Sequence, residues 1–361
     1  MNRPRIAGLD LARAVALFGM FAAHVGDSGA RTGGVGWPWL QIADGRSSAL
    51  FTVLAGVSIS LMLVRRGGPL PSYADVAHTR VRIAIRAALI IGIGAVLTGL
   101  GTVVDVILDN LGVMFLLALV ALRWRPWVLA AAGVGVLAVG RELIASMLPT
   151  LAHFGLINVP VAHELWSTHY PALVWIGYLL VGMAVGKVVA VTGPTRRVVA
   201  ALTIGGVVMA ALAYGAGKAL GASTHGGEWT SIAPHSYTAF ETLGNLGVCL
   251  AALAVCLPTA RALPHLTWPL AVTGSMTLTL FSAQILVITI VGNEIYYAPS
   301  NVALVALCLA SVAFACVWRP TLGQGPLERL LTVASSRAAD ARSSAPALPA
   351  GPLPFAPQDA P

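Results

Sequence analysis

Asp10, Arg13 and His24 sit in one apolar run, LDLARAVALFGMFAAHV, which occupies residues 9–25. At about 100° per residue they share a helical face with Leu17 and Met20. The path from Arg13 to His24 climbs about 16 Å at 1.5 Å per residue. Asp10 and Arg13 are spaced for an i,i+3 ion pair, which lowers the burial cost of both. His24 carries the side chain whose ordinary titration lies nearest neutrality, which suits it to take a proton. Taken singly, the pair reads as a staple between helices and the histidine as a satisfied polar residue. Together they make a polar stripe that costs several kcal/mol unless it faces protein or water, so the stripe is a functional candidate.

The elements that position this stripe are apolar throughout. The chain has 361 residues, 57% of them hydrophobic and only 10% charged, where a soluble domain has about a quarter charged. Repeated apolar runs of spanning length predict an all-α, polytopic integral membrane helical bundle with about ten transmembrane helices. Expected spans are 6–26, 46–64, 83–101, 104–122, 127–147, 171–192, 198–219, 239–258, 267–292 and 301–318; the fourth is the weakest, interrupted by Asp105, Asp109 and Asn110. Arg65, Arg66, Arg80, Arg82, Arg123, Arg125, Lys187, Arg196, Arg197 and Arg261 then fall on one side with Arg3, Arg5 and the arginines after span ten. The positive-inside rule makes that side, and both termini, cytoplasmic. The net charge of +8 is thereby topological, and no nucleic-acid partner is implied.

Residues 1–320 read as the membrane domain, and 321–361 as a disordered Pro/Ala-rich cytoplasmic tail. Cys249, Cys256, Cys308 and Cys316 lie inside apolar runs without metal-ligand spacing, so they read as small buried residues and no metal is expected. Most outer-loop histidines (His153, His163, His169, His225, His235) read as solvated surface residues.

Further polar groups fall near membrane depth. Asp44 and Arg46 begin span two, close in depth to His24; Asp105 and Asp109 are spaced i,i+4 near the outer end of span four. Arg141–Glu142 lie in span five, and Tyr237, Glu241 and Asn245 share a face at the start of span eight. Asp44 and Arg46 either serve His24 or cap a helix start, and each of the other sets either lines a cavity or bonds neighbouring helices. Ser275, Thr277, Thr279, Ser282 and Gln284 read as interhelical hydrogen-bonders, and Trp37 and Trp39 as interfacial anchors.

The segment RIAGLDLARAVALFGMFAAH (residues 5–24) resembles the first helix of the transmembrane acyltransferase superfamily, which includes the acyltransferase-3 and the heparan-alpha-glucosaminide N-acetyltransferase-like proteins. Arg13 and His24 stand at the acyltransferase-3 spacing of an Arg, ten residues and a His. ADGRSSALFTVLAGVSISLM (43–62) looks like the second helix of bacterial glucosaminide-acetyltransferase-like members; YPALVWIGYLLVGMAVGK (170–187) and GSMTLTLFSAQ (274–284) are similar more loosely. Two positions depart from the pattern: Ala14 follows Arg13 where Gly is usual, and the loop after the first helix holds no histidine near Gly34.

The resemblance implies an acyltransferase that moves an acyl group, in the first instance acetyl, from cytosolic acyl-CoA to an extracytoplasmic sugar or cell-envelope glycan. His24 would be the general base or acyl carrier. Asp44 would orient it and Arg46 would stabilise an oxyanion. Arg13, Arg82 and Arg86 would form a basic mouth for the CoA phosphates, and Asp105, Asp109, Glu241 and Asn245 would bind the acceptor. Such a protein would be multi-pass in the cell (inner or plasma) membrane, in contact with lipid, and able to form a homodimer. The alternative is a proton-coupled transporter using Asp10, Asp105, Asp109 and Glu241.

Overall fold

The computed structural model describes residues 6–64, 73–159, 161–223 and 227–344. Arg3, Arg5, Arg65, Arg66, His225 and the chain after Ser344 lie outside the described residues. The elements are α1 (Ala7–Val25), α2 (Arg46–Leu63), α3 (Tyr73–Thr98), α4 (Leu108–Ala121), α5 (Pro126–His153) and α6 (Ala172–Thr192). They continue with α7 (Arg196–Gly221), α8 (Ala239–Ala262), α9 (Pro264–Gly274), α10 (Thr277–Val291), α11 (Glu294–Tyr297), α12 (Asn301–Leu322) and α13 (Pro326–Ser344).

Backbone polar groups in hydrocarbon must pair within their own segment, and the apolar runs therefore fold as helices. Eight of them (α1, α3 from Asp75, α5, α6, α7, α8, α12, and α2 with the segment before it) are long and apolar enough to cross a membrane. The other two expected spans are modified. The span at 267–292 is the pair α9 and α10, bent by 62°, and the weak fourth span is the short apolar helix α4. Helix α4 begins only at Leu108 because residues 99–107 are irregular, so Asp105 lies in a loop and does not share a helical face with Asp109.

Helix α1 is the central strut, packed against α2, α8, α9 and α12. The bend between α9 and α10 follows from its contact with α1: a Cβ on Gly274 would collide with the Asp10 carbonyl oxygen. Carbonyls freed at the bend are taken up locally, Val272 O by Ser275 Oγ at 2.8 Å and Gly274 O by Thr277 Oγ1 at 3.3 Å. Helices α2 and α6 cross with backbones touching, since a methyl on Gly56 or Gly182 would strike the carbonyl oxygen of Leu179 or Val53.

The outer end of α1 is clasped to α12. Ser300 N donates to Val25 O at 2.8 Å, and Asp27 and Asn301 exchange two hydrogen bonds at 2.9 Å.

The C-terminal segment differs from the disorder expected after residue 321. Helix α12 runs on to Leu322, and α13 follows to Ser344. Pro326 stands at the first turn of α13, where proline is tolerated. Leu331, Ser335 and Ala339 form its buried stripe. Helix α13 packs on α3 and α10. Glu328 accepts from Thr279 N at 3.1 Å and Thr279 Oγ1 at 2.5 Å, and His78 meets Asp340 at 3.1 Å. The proline-rich composition of 346–361 masked a short amphipathic helix before it.

Candidate functional site

A polar cavity of about 280 Å³ opens between the outer end of α1, the start of α2 and the loops before α4, α6 and α8. That volume stands near the lower end of small-molecule sites. His24, Asp44, Asp105, His169, Tyr170 and His235 all line it.

His24 forms one wall. Gln284 of α10 places its amide Nε2 2.8 Å from His24 Nδ1. Gln284 Oε1 is buried without a hydrogen-bond partner among the described residues. The amide therefore has two orientations with different consequences. With its NH2 on Nδ1, a neutral imidazole carries its proton on Nε2. With its C=O on Nδ1–H, the Nε2 lone pair is free. Above His24, the Arg31 guanidinium donates to the carbonyls of Gly26 (2.8 Å), Tyr296 (3.1 Å) and His24 (3.4 Å) and lies 4.6 Å over the Tyr296 ring. A cation at these open carbonyls complements the C-terminal end of α1.

The facing wall is built from strained backbone. Four non-glycine residues among those described have positive φ, and three belong here: Tyr170 (60°), His235 (62°) and Tyr237 (55°). Each such residue costs about 1–3 kcal/mol and persists only where its surroundings hold it. Glu241 holds two of them, and the Tyr237 hydroxyl accepts from Tyr170 N. The two carboxylate oxygens of Glu241 accept His235 N at 3.1 Å and Tyr237 N at 2.7 Å. Its own N–H donates to Thr238 Oγ1 at 3.1 Å, the N-cap of α8. Thr238-Ala-Phe-Glu241 is thus a capping-box sequence whose glutamate reaches past the cap to seize the preceding loop. Behind it, Asn245 Nδ2 donates to Glu241 at 2.9 Å, Tyr214 OH to Asn245 Oδ1 at 2.5 Å, and Arg46 Nε to Tyr214 OH at 2.8 Å.

On this wall His169 Nδ1 lies 3.4 Å from Asp105, and the His169 and His235 rings meet edge-on at 5.8 Å. Burial, with His169 as a second cause, holds the His235 imidazole below its ordinary value, while Asp105 opposes. Burial likewise raises the Tyr170 hydroxyl, so it stays a neutral hydrogen-bonding group.

The cavity thus brings His24, Asp44 and Asp105 together and adds His169, Tyr170 and His235, while Gln284 stands buried behind His24. The hydrogen-bond partner of His24 Nδ1 is Gln284 where Asp44 was expected, because the bend before α10 turns Gln284 toward α1. Arg46 lines an adjacent apolar groove beneath the stacked Trp37 and Trp39 rings, and its guanidinium serves the Tyr214 relay. Glu241 and Asn245, expected to bind an acceptor, spend their polar atoms on the loop and on that relay.

Asp109 lies in a different cavity, hydrogen-bonded by Thr98 at 2.9 Å. Arg13 pairs with Asp10 and donates to Ser58 at 2.8 Å. Arg86 donates to Ser335 at 3.2 Å and Thr332 at 3.4 Å on α13. Arg141, read with Glu142 as lining a cavity or bonding a neighbouring helix, pairs with exposed Glu228 at 3.4 Å. The four carboxylates of the transport reading are therefore dispersed, and only Asp105 faces the polar cavity.

Comparison with known families gives two matches. The model described as "Heparan-alpha-glucosaminide N-acetyltransferase, catalytic" matches residues 5–220, more than half of the chain. A protein family of unknown function, DUF418, matches residues 193–337. No curated protein matches. His24, Asp44, Asp105, His169 and Tyr170 fall in the first stretch; His235, Glu241 and Gln284 fall in the second.

Proposed function

Because the chain belongs to the heparan-alpha-glucosaminide N-acetyltransferase catalytic family, we propose that it transfers an acetyl group from acetyl-CoA to an amino-sugar or hydroxyl acceptor, using His24. The observation that carries this reading is the Gln284–His24 contact at the wall of the polar cavity. A thioester carbonyl entering the cavity meets an imidazole whose proton position is governed by one amide. With the Gln284 carbonyl turned to Nδ1–H, His24 Nε2 is a free lone pair, able to act as base or to accept the acyl group. The acceptor is a sugar of the cell envelope, and the membrane is the cell membrane.

The donor approaches from the cytoplasmic side, given the Lys/Arg asymmetry of the loops. Arg86 supports a phosphate-binding role, since its bonds to two neutral hydroxyls of α13 are ones a phosphate would replace with stronger, charge-assisted ones. The polar cavity fits the acceptor at the opposite end of α1.

The test is thiol release from acetyl-CoA by the purified protein in lipid nanodiscs, with and without glucosamine. Wild type should release CoA and form N-acetylglucosamine, and His24→Ala should lose at least a hundredfold in rate. Absence of both acetyl-CoA binding and thiol release in wild type would overturn the reading.

A further inference from the structure

The cavity is also lined by His235, whose Nδ1 faces the Tyr237 hydroxyl. Three hydrogen-bond partners stand within 3.3 Å of the Tyr237 hydroxyl: Tyr170 N at 3.1 Å, Thr168 O at 3.3 Å and His235 Nδ1 at 3.1 Å. Tyr170 N–H can only donate, and Thr168 O can only accept. A phenol has one proton and two lone pairs. The proton goes to Thr168 O, one lone pair takes Tyr170 N–H, and the other takes a hydrogen from His235. All three bonds are satisfied only if Nδ1 of His235 carries its proton. Its Nε2 is then a lone pair, with no hydrogen bond among the described residues, on a ring that lines the cavity shared with His24.

The backbone supports the same reading. Both His235 and Tyr237 are held at positive φ by the Glu241 carboxylate. A loop costing several kcal/mol of strain, clamped by a buried carboxylate, presents one imidazole in one tautomer to the cavity.

We propose that His235 is the general base that deprotonates the acceptor, leaving His24 to carry the acyl group. Tyr237 is a positioning residue that fixes the His235 tautomer. The inference rests on the acyl-transfer reading. In the first step His24 Nε2 attacks the thioester carbonyl, an N–C bond forms, the C–S bond breaks, and CoA leaves as thiolate. In the second, the acceptor amine or hydroxyl gives its proton to His235 Nε2 and bonds to the acyl carbon. The N–C bond to His24 breaks and its electron pair returns to Nε2. His235 then loses its proton to water. The groups facing His235 are His169, Asp105, Tyr170 and Tyr237.

The two steps separate experimentally. Asparagine tolerates positive φ and its side-chain amide can still donate to Tyr237, so His235→Asn keeps the loop and removes the base. With nanodisc protein and acetyl-CoA, His235→Asn should retain the first-turnover release of CoA thiol. Steady-state transfer to glucosamine should fall about 10²-fold or more, the usual contribution of a general base. Tyr237→Phe should keep the burst and lose about tenfold in transfer, and imidazole should restore part of the rate to His235→Gly.

A His235→Asn protein with wild-type steady-state rate and pH profile would overturn the assignment while leaving the acyl-transfer reading intact. Loss of the burst together with transfer would also overturn it, placing His235 on the donor side or in the scaffold. A wild type that releases no CoA would remove the acyl-transfer reading and this assignment with it.

Discussion

Gln284 Nε2 lies 2.8 Å from His24 Nδ1 although 260 residues separate them. The contact exists because α10 leaves α9 at 62° and so brings its second turn against the end of α1. Replacing Gln284 with Leu removes the only hydrogen bond to that nitrogen among those described. One neutral bond is worth about 1–1.5 kcal/mol, so kcat should fall about tenfold with the KM for acetyl-CoA unchanged. Steady-state kinetics of Gln284→Leu against wild type, at equal expression and thermal stability, measures it.

Glu241 is expected to matter for stability as much as for turnover. Glu241→Ala leaves His235 N, Tyr237 N and Asn245 Nδ2 without their acceptor. Bonds to a charged group contribute about 1.5–3 kcal/mol each before partial replacement by water. A loss of about 3 kcal/mol is expected, seen as a fall of several degrees in the unfolding temperature in nanodiscs. An unchanged unfolding temperature would mean the loop is held by other means.

The pH profile carries the sign of the His235 shift. Its folded value lies below the ordinary 6.5, through burial first and His169 second. The active base is the neutral form, so activity should rise with pH through a limb whose midpoint is below 6.5. Stability follows the same direction. The unfolded chain binds a proton near pH 6.5 while the folded chain still resists it, so stability falls as pH drops below 6.5 and levels off once the folded imidazole protonates. His235→Asn should remove both effects, which rate profiles and unfolding at pH 5–8 would detect.

Arg86 tests the donor side. If it holds a CoA phosphate, Arg86→Gln should raise the KM for acetyl-CoA about tenfold and leave kcat within twofold. Titration of acetyl-CoA at saturating glucosamine separates the two constants. A change confined to kcat would count against phosphate binding.

The α2–α6 crossing is a packing prediction. Gly56→Leu forces a side chain into the space held by the Leu179 backbone. Overpacking costs about 1–3 kcal/mol, more where backbone is struck, and the variant should show reduced yield of folded protein by size-exclusion chromatography.

The helices themselves were legible, because hydrocarbon leaves a chain few ways to satisfy its backbone and apolar length reports them directly. The stripe of Asp10, Arg13 and His24 was legible for the same reason, since polarity at that depth is rare. The residues around His24 were harder to read. Gln284 looked like any interhelical hydrogen-bonder until the bend at Gly274 aimed it. His235 looked like a surface residue because its partial burial depends on two loops folding over each other; His169 is exposed, as its loop position suggested, yet still lines the cavity. The Thr238–Glu241 capping box was present in the sequence and would have marked Glu241 as a loop clamp rather than a substrate ligand. The α13 helix was hidden by proline-rich flanks, and its one clear signal was the spacing of Leu331, Ser335 and Ala339.

The cavity draws its walls from residues 24, 105, 170, 235 and 296, and its key amide from residue 284. The clasp of Val25 and Asp27 with Ser300 and Asn301 closes the first span onto the last. No N-terminal portion of the chain contains the site. During synthesis, α1 enters the bilayer first and its histidine waits, unpaired, for nearly the whole protein to be made. The surroundings of His24 are completed late, when α10 and α12 arrive. Chains released earlier can insert and satisfy most of their helices, yet none of them holds the complete cavity.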